Sequence, residues 1–143
     1  MGKPKKILVA IDLSEECDQV LAKAAELIET YRVTASLIHV VEPVVTDSNY
    51  MLPETYVDLE SVLQKRAKDF LDEKAKQFSN TKVSTICEVG STKHEIFRQV
   101  EESGYDLIVM GTHGRHGIAR LLGSTASAVL HGTPCDIYMV KIA

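Results

Sequence analysis

The chain has 143 residues, 45% of them hydrophobic and 25% charged, which suits one globular domain and leaves little room for a second. Eight glycines and four prolines are too few for a fibrous or disordered chain. A formal charge of −4, with the basic cluster Lys3, Lys5 and Lys6 confined to one end, argues against nucleic acid as a partner.

At this length roughly two-thirds of the unfolded surface can be buried, so no disulfide or metal staple is needed. No stretch approaches the ~18 apolar residues of a membrane span, and Met1–Lys6 followed by Ile7–Ile11 is too short for a signal-peptide core. Cys17, Cys87 and Cys135 are odd in number and widely separated, so they are expected as reduced thiols in a cytoplasmic protein.

In chain order, Ile7–Ile11 is a continuous apolar run, as expected of a strand covered on both faces. Val20, Leu21, Ala24, Ala25, Ile28 and Tyr31 follow at helical spacing, with Ser14-Glu15-Glu16 as the expected helix start. Leu37–Val41 is the second strand. Glu42–Thr55 is the one long connection, with Pro43 and Pro53 expected to block regular structure. Leu59 to Phe78 carries the longest amphipathic helix, its other face charged. Val83–Val89 alternates more and reads as a strand nearer an edge. Thr92-x-x-Glu95 predicts a capping box before Ile96, Phe97 and Val100. Leu107–Met110 and Ile137–Ile142 are the last two strands, flanking a short helix from Ser124 to about His131. Strands alternating with single helices predict one doubly wound α/β domain with a mostly parallel sheet.

Ligands of such sheets bind outside the carboxyl ends of the strands. Three ends carry chemistry. Asp12 leaves the first strand, either as a turn carboxylate or as a ligand for a ribose hydroxyl or metal ion. Gly111-Thr112-His113-Gly114-Arg115-His116-Gly117, with Gly123-Ser124-Thr125 behind it, is either a glycine-rich connection or a phosphate cradle. Val40-Val41-Glu42 is either ordinary core or the wall of an adenine pocket.

Other chemistries lack their residues. There is no Walker loop, no G-x-G-x-x-G after the first strand and no G-x-S-x-G around Ser124. His113, His116 and His131 have no cysteine or carboxylate at ligand spacing. A receiver domain would need an acidic cluster after the first strand and an aspartate after the third, where Val89-Gly90-Ser91-Thr92 stands. A flavodoxin-type phosphate loop would be repelled by Glu15 and Glu16.

Ile7–Ser14, Leu37–Val41, Gly90-Ser91, Val109–Gly117, Leu121–Thr125 and Thr133–Asp136 together resemble the universal stress protein family over nearly the whole chain. The resemblance implies a five-stranded parallel sheet in the order 3-2-1-4-5 with four helices on two faces. It also implies an ATP site, or one for AMP or ADP, between strands 1 and 4. By motif match Ile11, Asp12, Val41, Gly111, Gly114, Arg115, Gly123, Ser124 and Thr125 take the nucleotide-binding role. Asp12 would hold ribose or a nucleotide-bound Mg2+, Val41 would contact adenine, and the glycines and hydroxyls would take phosphates. Family members commonly form homodimers through the last strand, here Asp136–Ile142. They act in the cytoplasm in stress response rather than as efficient enzymes, with at most slow ATP hydrolysis or autophosphorylation. No membrane or nucleic-acid partner is expected.

Two departures bear on the site. Eight residues, Arg115–Leu122, separate Gly114 from Gly123, one fewer than the family's usual spacing. The opening Ile11-Asp12-Leu13-Ser14 resembles members that do not bind ATP, whereas the four glycines 111, 114, 117 and 123 resemble those that do. The competing expectation is therefore a nucleotide-free dimer that works through protein–protein contacts.

Overall fold

A computed structural model describes residues 2–43, 53–78, 82–113 and 122–143. In chain order these form β1 (Lys6–Ala10), α1 (Cys17–Tyr31), β2 (Thr34–Val41), α2 (Pro53–Ala75), β3 (Val83–Val89), α3 (Thr92–Ser103), β4 (Leu107–Gly111), α4 (Ser124–Leu130) and β5 (Asp136–Val140). The five strands make one parallel sheet in the order β3-β2-β1-β4-β5. Fold class, strand order and helix number agree with the sequence reading, and β3 is an edge strand as its alternation implied.

Alternation along the strands divides the interior into two layers. Ile7, Val9, Ala35, Leu37, Val109 and Val140 pack against Val20, Leu21, Ala24 and Ile28 of α1 and Leu71 of α2. Leu8, Ile38, Val40, Ile108 and Met110 pack against Ile96 and Val100 of α3 and Ala126 and Val129 of α4. Residues 7–9 of β1 are fully buried, which is why that run carries no polar residue. One polar group enters the second layer: the buried Tyr105 hydroxyl donates to Ser36 Oγ at 2.7 Å, and Ser36 lies 2.6 Å from Ser84 Oγ. At the amino end of the sheet the Asp106 carboxylate accepts from the Lys5 and Lys6 amides, tying β1 to β4.

Three element starts differ from expectation, each for a local reason. α1 begins at Cys17 with Glu16 as N-cap and no side-chain cap, because the Ser14 hydroxyl is engaged by Asp12 instead. Pro53 does not block α2 but opens it, occupying the first helical position, where its missing N–H costs nothing. α3 is capped by Ser91 rather than Thr92, with Ser91 Oγ accepting from His94 N–H, while Glu95 turns to Arg98.

α1 ends on Arg32 in the left-handed conformation (φ 52°), its N–H on the Ile28 carbonyl. A side chain there costs ~1–2 kcal/mol, against ~0.4–1 kcal/mol of added unfolded-chain entropy for glycine. Arg32→Gly is expected to stabilise the fold by about 0.5–1 kcal/mol. Chemical denaturation should show the midpoint rising with the slope unchanged.

Candidate functional site

β1 stops short of its neighbours. Its pairing with β4 ends at Val9–Val109 and with β2 at Ala10–Ile38, while β2 runs on to Val41 and β4 to Gly111. The neighbours therefore stand apart above the end of β1, and a cleft of about 550 Å³ opens between them. That volume lies within the usual range for small-molecule sites.

Ile11 and Asp12 form the floor of the cleft. Asp12 Oδ1 accepts from Ser14 N–H at 3.2 Å and from the Ser14 hydroxyl at 2.5 Å. Asp12 is thus a turn carboxylate, and it also lines the cleft. Cys17 and Val20 of α1 complete this side. Burial, with a smaller push from Asp18, raises the Cys17 thiol to about 11.

The β2 side contributes Ile38, His39, Val40 and Glu42. Val41, expected at the adenine, is not on this wall. Backbone N–H and C=O groups of a strand residue point to the same neighbour, and this direction alternates along the strand. Ile38 O accepts from Ile11 N–H, so Ile38 faces β1; Val41 O accepts from Gly90 N–H, so Val41 faces β3. Val40 therefore directs its backbone edge toward the β1 side, where β1 has already turned away. The valine that lines the cleft is Val40, one residue before the expected Val41. Glu42 Oε1 accepts from the Thr92 hydroxyl at 2.9 Å, which places a carboxylate at the start of α3 and joins the two elements at the rim.

On the β4 side the chain leaves and returns through one point. Thr112 N–H donates to Val140 O, Thr112 Oγ1 accepts from Ile142 N–H, and Gly123 N–H donates to Thr112 O at 2.7 Å. A Cβ on Gly123 would stand 3.0 Å from His113 Cα, and one on Gly111 would stand 3.0 Å from two Ile142 side-chain carbons. Both glycines line the cleft, and both are also required by the packing of the chain beneath it. Ser124 and Thr125 lie on the wall at the start of α4, which has Gly123 as N-cap and no side-chain cap. Gly114, Arg115, His116 and Gly117 fall outside the described residues. Ile142, expected on the edge strand, is instead buried in the cleft wall, and β5 ends at Val140.

The described lining holds three carboxylates, Asp12, Glu16 and Glu42, and no lysine or arginine. Among the described residues no three His, Cys, Asp or Glu side chains form a metal cage. One or two carboxylates completed by phosphate oxygens is nevertheless the usual way of holding Mg2+, and Asp12 fits it.

Comparison with known proteins agrees with this architecture. The model of the universal stress protein family matches residues 3–141. The chain belongs to the universal stress protein family. It is 41% identical to universal stress protein A homolog 2 of Coxiella burnetii over 99% of this chain and 98% of that protein. A universal stress protein UspA from Lactobacillus plantarum shares its fold with a TM-score of 0.86 at 23% identity, covering 98% and 99% of the two chains. Folds of the same family have been solved with ligands: one in complex with cAMP (TM-score 0.68, 20% identity, covering 99% and 100%) and one from Arabidopsis thaliana with AMP bound (TM-score 0.66, 19%, covering 98% and 93%).

The cysteines set a pH limit on this universal stress protein. Burial pushes the Cys17 and Cys135 thiols up to about 11, from 9.0 for an ordinary thiol. The unfolded chain releases these protons first, so stability present below pH 9 is lost as pH rises towards 11. Urea midpoints should fall over that interval. Cys17→Ala is expected to remove the Cys17 share of the loss, about 3 kcal/mol at most.

Proposed function

We propose that this protein is a homodimeric, cytoplasmic stress-response protein that binds an adenine nucleotide, ATP with Mg2+ or else AMP or ADP, without being an efficient enzyme. The observation that carries the reading is the cleft itself. It brings the β2 backbone edge, Asp12 and the Gly123–Thr125 turn, the last more than eighty residues along the chain from the other two, around one volume of mononucleotide size. Family folds solved with cAMP, dAMP and AMP support the base and ribose part of it. In this reading the base lies against Val40, Asp12 takes a ribose hydroxyl or the metal, and phosphates meet Gly111, Gly123, Ser124 and Thr125 with Gly114 and Arg115. Mg2+ supplies charge neutralisation for the phosphates when it is bound with the nucleotide.

Denaturing the freshly purified protein and analysing the supernatant by mass spectrometry tests this reading. Bound AMP, ADP or ATP approaching one per chain is the expected result. Asp12→Asn should then weaken Mg-ATP about tenfold, the loss of one charged hydrogen bond, as read by calorimetry. An empty protein that also fails to bind added AMP or Mg-ATP would overturn the nucleotide site and leave the nucleotide-free dimer.

For the dimer, β5 is the edge strand with Tyr138 exposed at 38% and Ile137 and Met139 half-buried. An unpaired edge with apolar side chains invites a second copy. Tyr138→Lys is expected to convert dimer to monomer in light scattering; an unchanged mass would move the interface elsewhere.

A further inference from the structure

We propose that His39 is a positioning residue: its Nδ1–H takes, at the Ile11 carbonyl, the place of the Val40 amide, and so holds the Val40 backbone edge open to the cleft. The inference rests on the nucleotide reading above for what occupies that edge, but its structural half stands without it.

In a parallel ladder a residue of one strand donates to the residue before its partner and accepts from the residue after it. Ile11 N–H donates to Ile38 O at 3.0 Å, which makes His39 its partner in register. The regular continuation would be Val40 N–H donating to Ile11 O. That bond is not made. His39 Nδ1 lies 2.9 Å from Ile11 O instead. A carbonyl only accepts, so Nδ1 carries the proton and the imidazole is the donor.

The exchange of donors has two consequences. Ile11 is a buried residue, and a carbonyl there would cost free energy if left unpaired; the imidazole satisfies it. Because the ring reaches across the gap, the β2 backbone need not follow β1 into its turn at Asp12. Among the described residues Val40 N–H and C=O then have no backbone partner, and they face the space that β1 vacates. A donor beside an acceptor on an extended strand edge matches the amino and ring-nitrogen pair of adenine. His39 thus creates the base-reading edge without touching the base.

An aliphatic side chain at position 39 would leave Ile11 O to recruit Val40 N–H, lengthening the ladder by one bond and closing the edge. The experiment compares wild type, His39→Leu and His39→Asn, the asparagine amide lying close to the position of Nδ1. Two quantities are read: exchange of the Val40 amide in nucleotide-free protein by NMR, and AMP affinity by calorimetry. In His39→Leu the Val40 amide should exchange about tenfold more slowly, and AMP should bind about tenfold more weakly. His39→Asn should restore both. Unchanged Val40 exchange in His39→Leu, or an asparagine variant that behaves like leucine, would overturn the proposal. Should wild type bind no AMP, the nucleotide reading falls while the exchange comparison still decides the role of His39. If His39→Leu does not fold, the tautomer in wild type decides: long-range 15N correlation must show His39 protonated on Nδ1, and a ring protonated only on Nε2 would refute the bond.

Discussion

The place where the β1 ladder ends governs the rest of the molecule. β1 is the central strand, bonded on both sides, and its apolar residues 7–9 carry the two interior layers at once. Ile11 makes one more bond to β2, and Asp12 then turns the chain away under the control of Ser14. Had β1 continued two residues further, its backbone would have paired with Val40 and filled the space between β2 and β4. The cleft is the volume that a short central strand fails to occupy, bounded by longer neighbours that are each paired on the far side.

Its second wall is made by chain crossing rather than by a single element. Thr112 receives or donates three hydrogen bonds, to Val140, Ile142 and Gly123, so the exit of β4, the residues after β5 and the approach to α4 meet at one residue. Gly111 admits Ile142 and Gly123 admits His113, each at the limit of close approach. A glycine motif read from sequence suggests backbone contact with a ligand. Here the same glycines first let three segments of chain pass one another, and the cleft surface follows from that packing. The chain beyond β5 consequently reaches the site: Ile142 packs against Gly111 in the cleft wall, and Ala143 N–H, outside the lining, donates to Gln19 Oε1 of α1.

Most of the fold was legible because buried parallel strands are continuous apolar runs and the helices between them carry a clean 3.6-residue period. The strand order was not legible from the runs themselves, since Ile7–Ile11 and Leu107–Met110 are alike in composition; it came through resemblance to a family. Errors arose where one side chain had two local partners to choose from. Ser14 is a good helix cap, yet Asp12 lies two residues back and claims its hydroxyl. Ser91 and Thr92 are adjacent candidates, and Glu42, fifty residues away in sequence, draws the threonine off. The cleft-lining valine differs from expectation by one residue because the two valines are equivalent as apolar residues, and only strand parity tells Val40 from Val41. The Tyr105–Ser36–Ser84 network has no sequence signal at all, since it joins three strands' worth of separation through hydroxyls.

Electrostatics separate the two ends of the cleft and bear on how a nucleotide would lie. At the β2 end the Glu42 carboxylate sits at the start of α3, so the favourable charge at that helix terminus is already met by the protein. A phosphate brought within about 5 Å of Glu42 would meet a repulsion on the order of 3 kcal/mol. α4 has no acidic residue in its first turn and no side-chain cap, so its first amides face no competing carboxylate of their own helix. On the nucleotide reading this asymmetry orients the ligand, base towards Val40 and phosphates towards Ser124 and Thr125. Asp12 and Glu16 lie between and would oppose the full charge of a free triphosphate. The same two carboxylates favour a triphosphate whose charge is partly cancelled by Mg2+, or a monophosphate with less to cancel. On that reading the acidity of the described lining would act as a filter on the charge state in which a nucleotide enters.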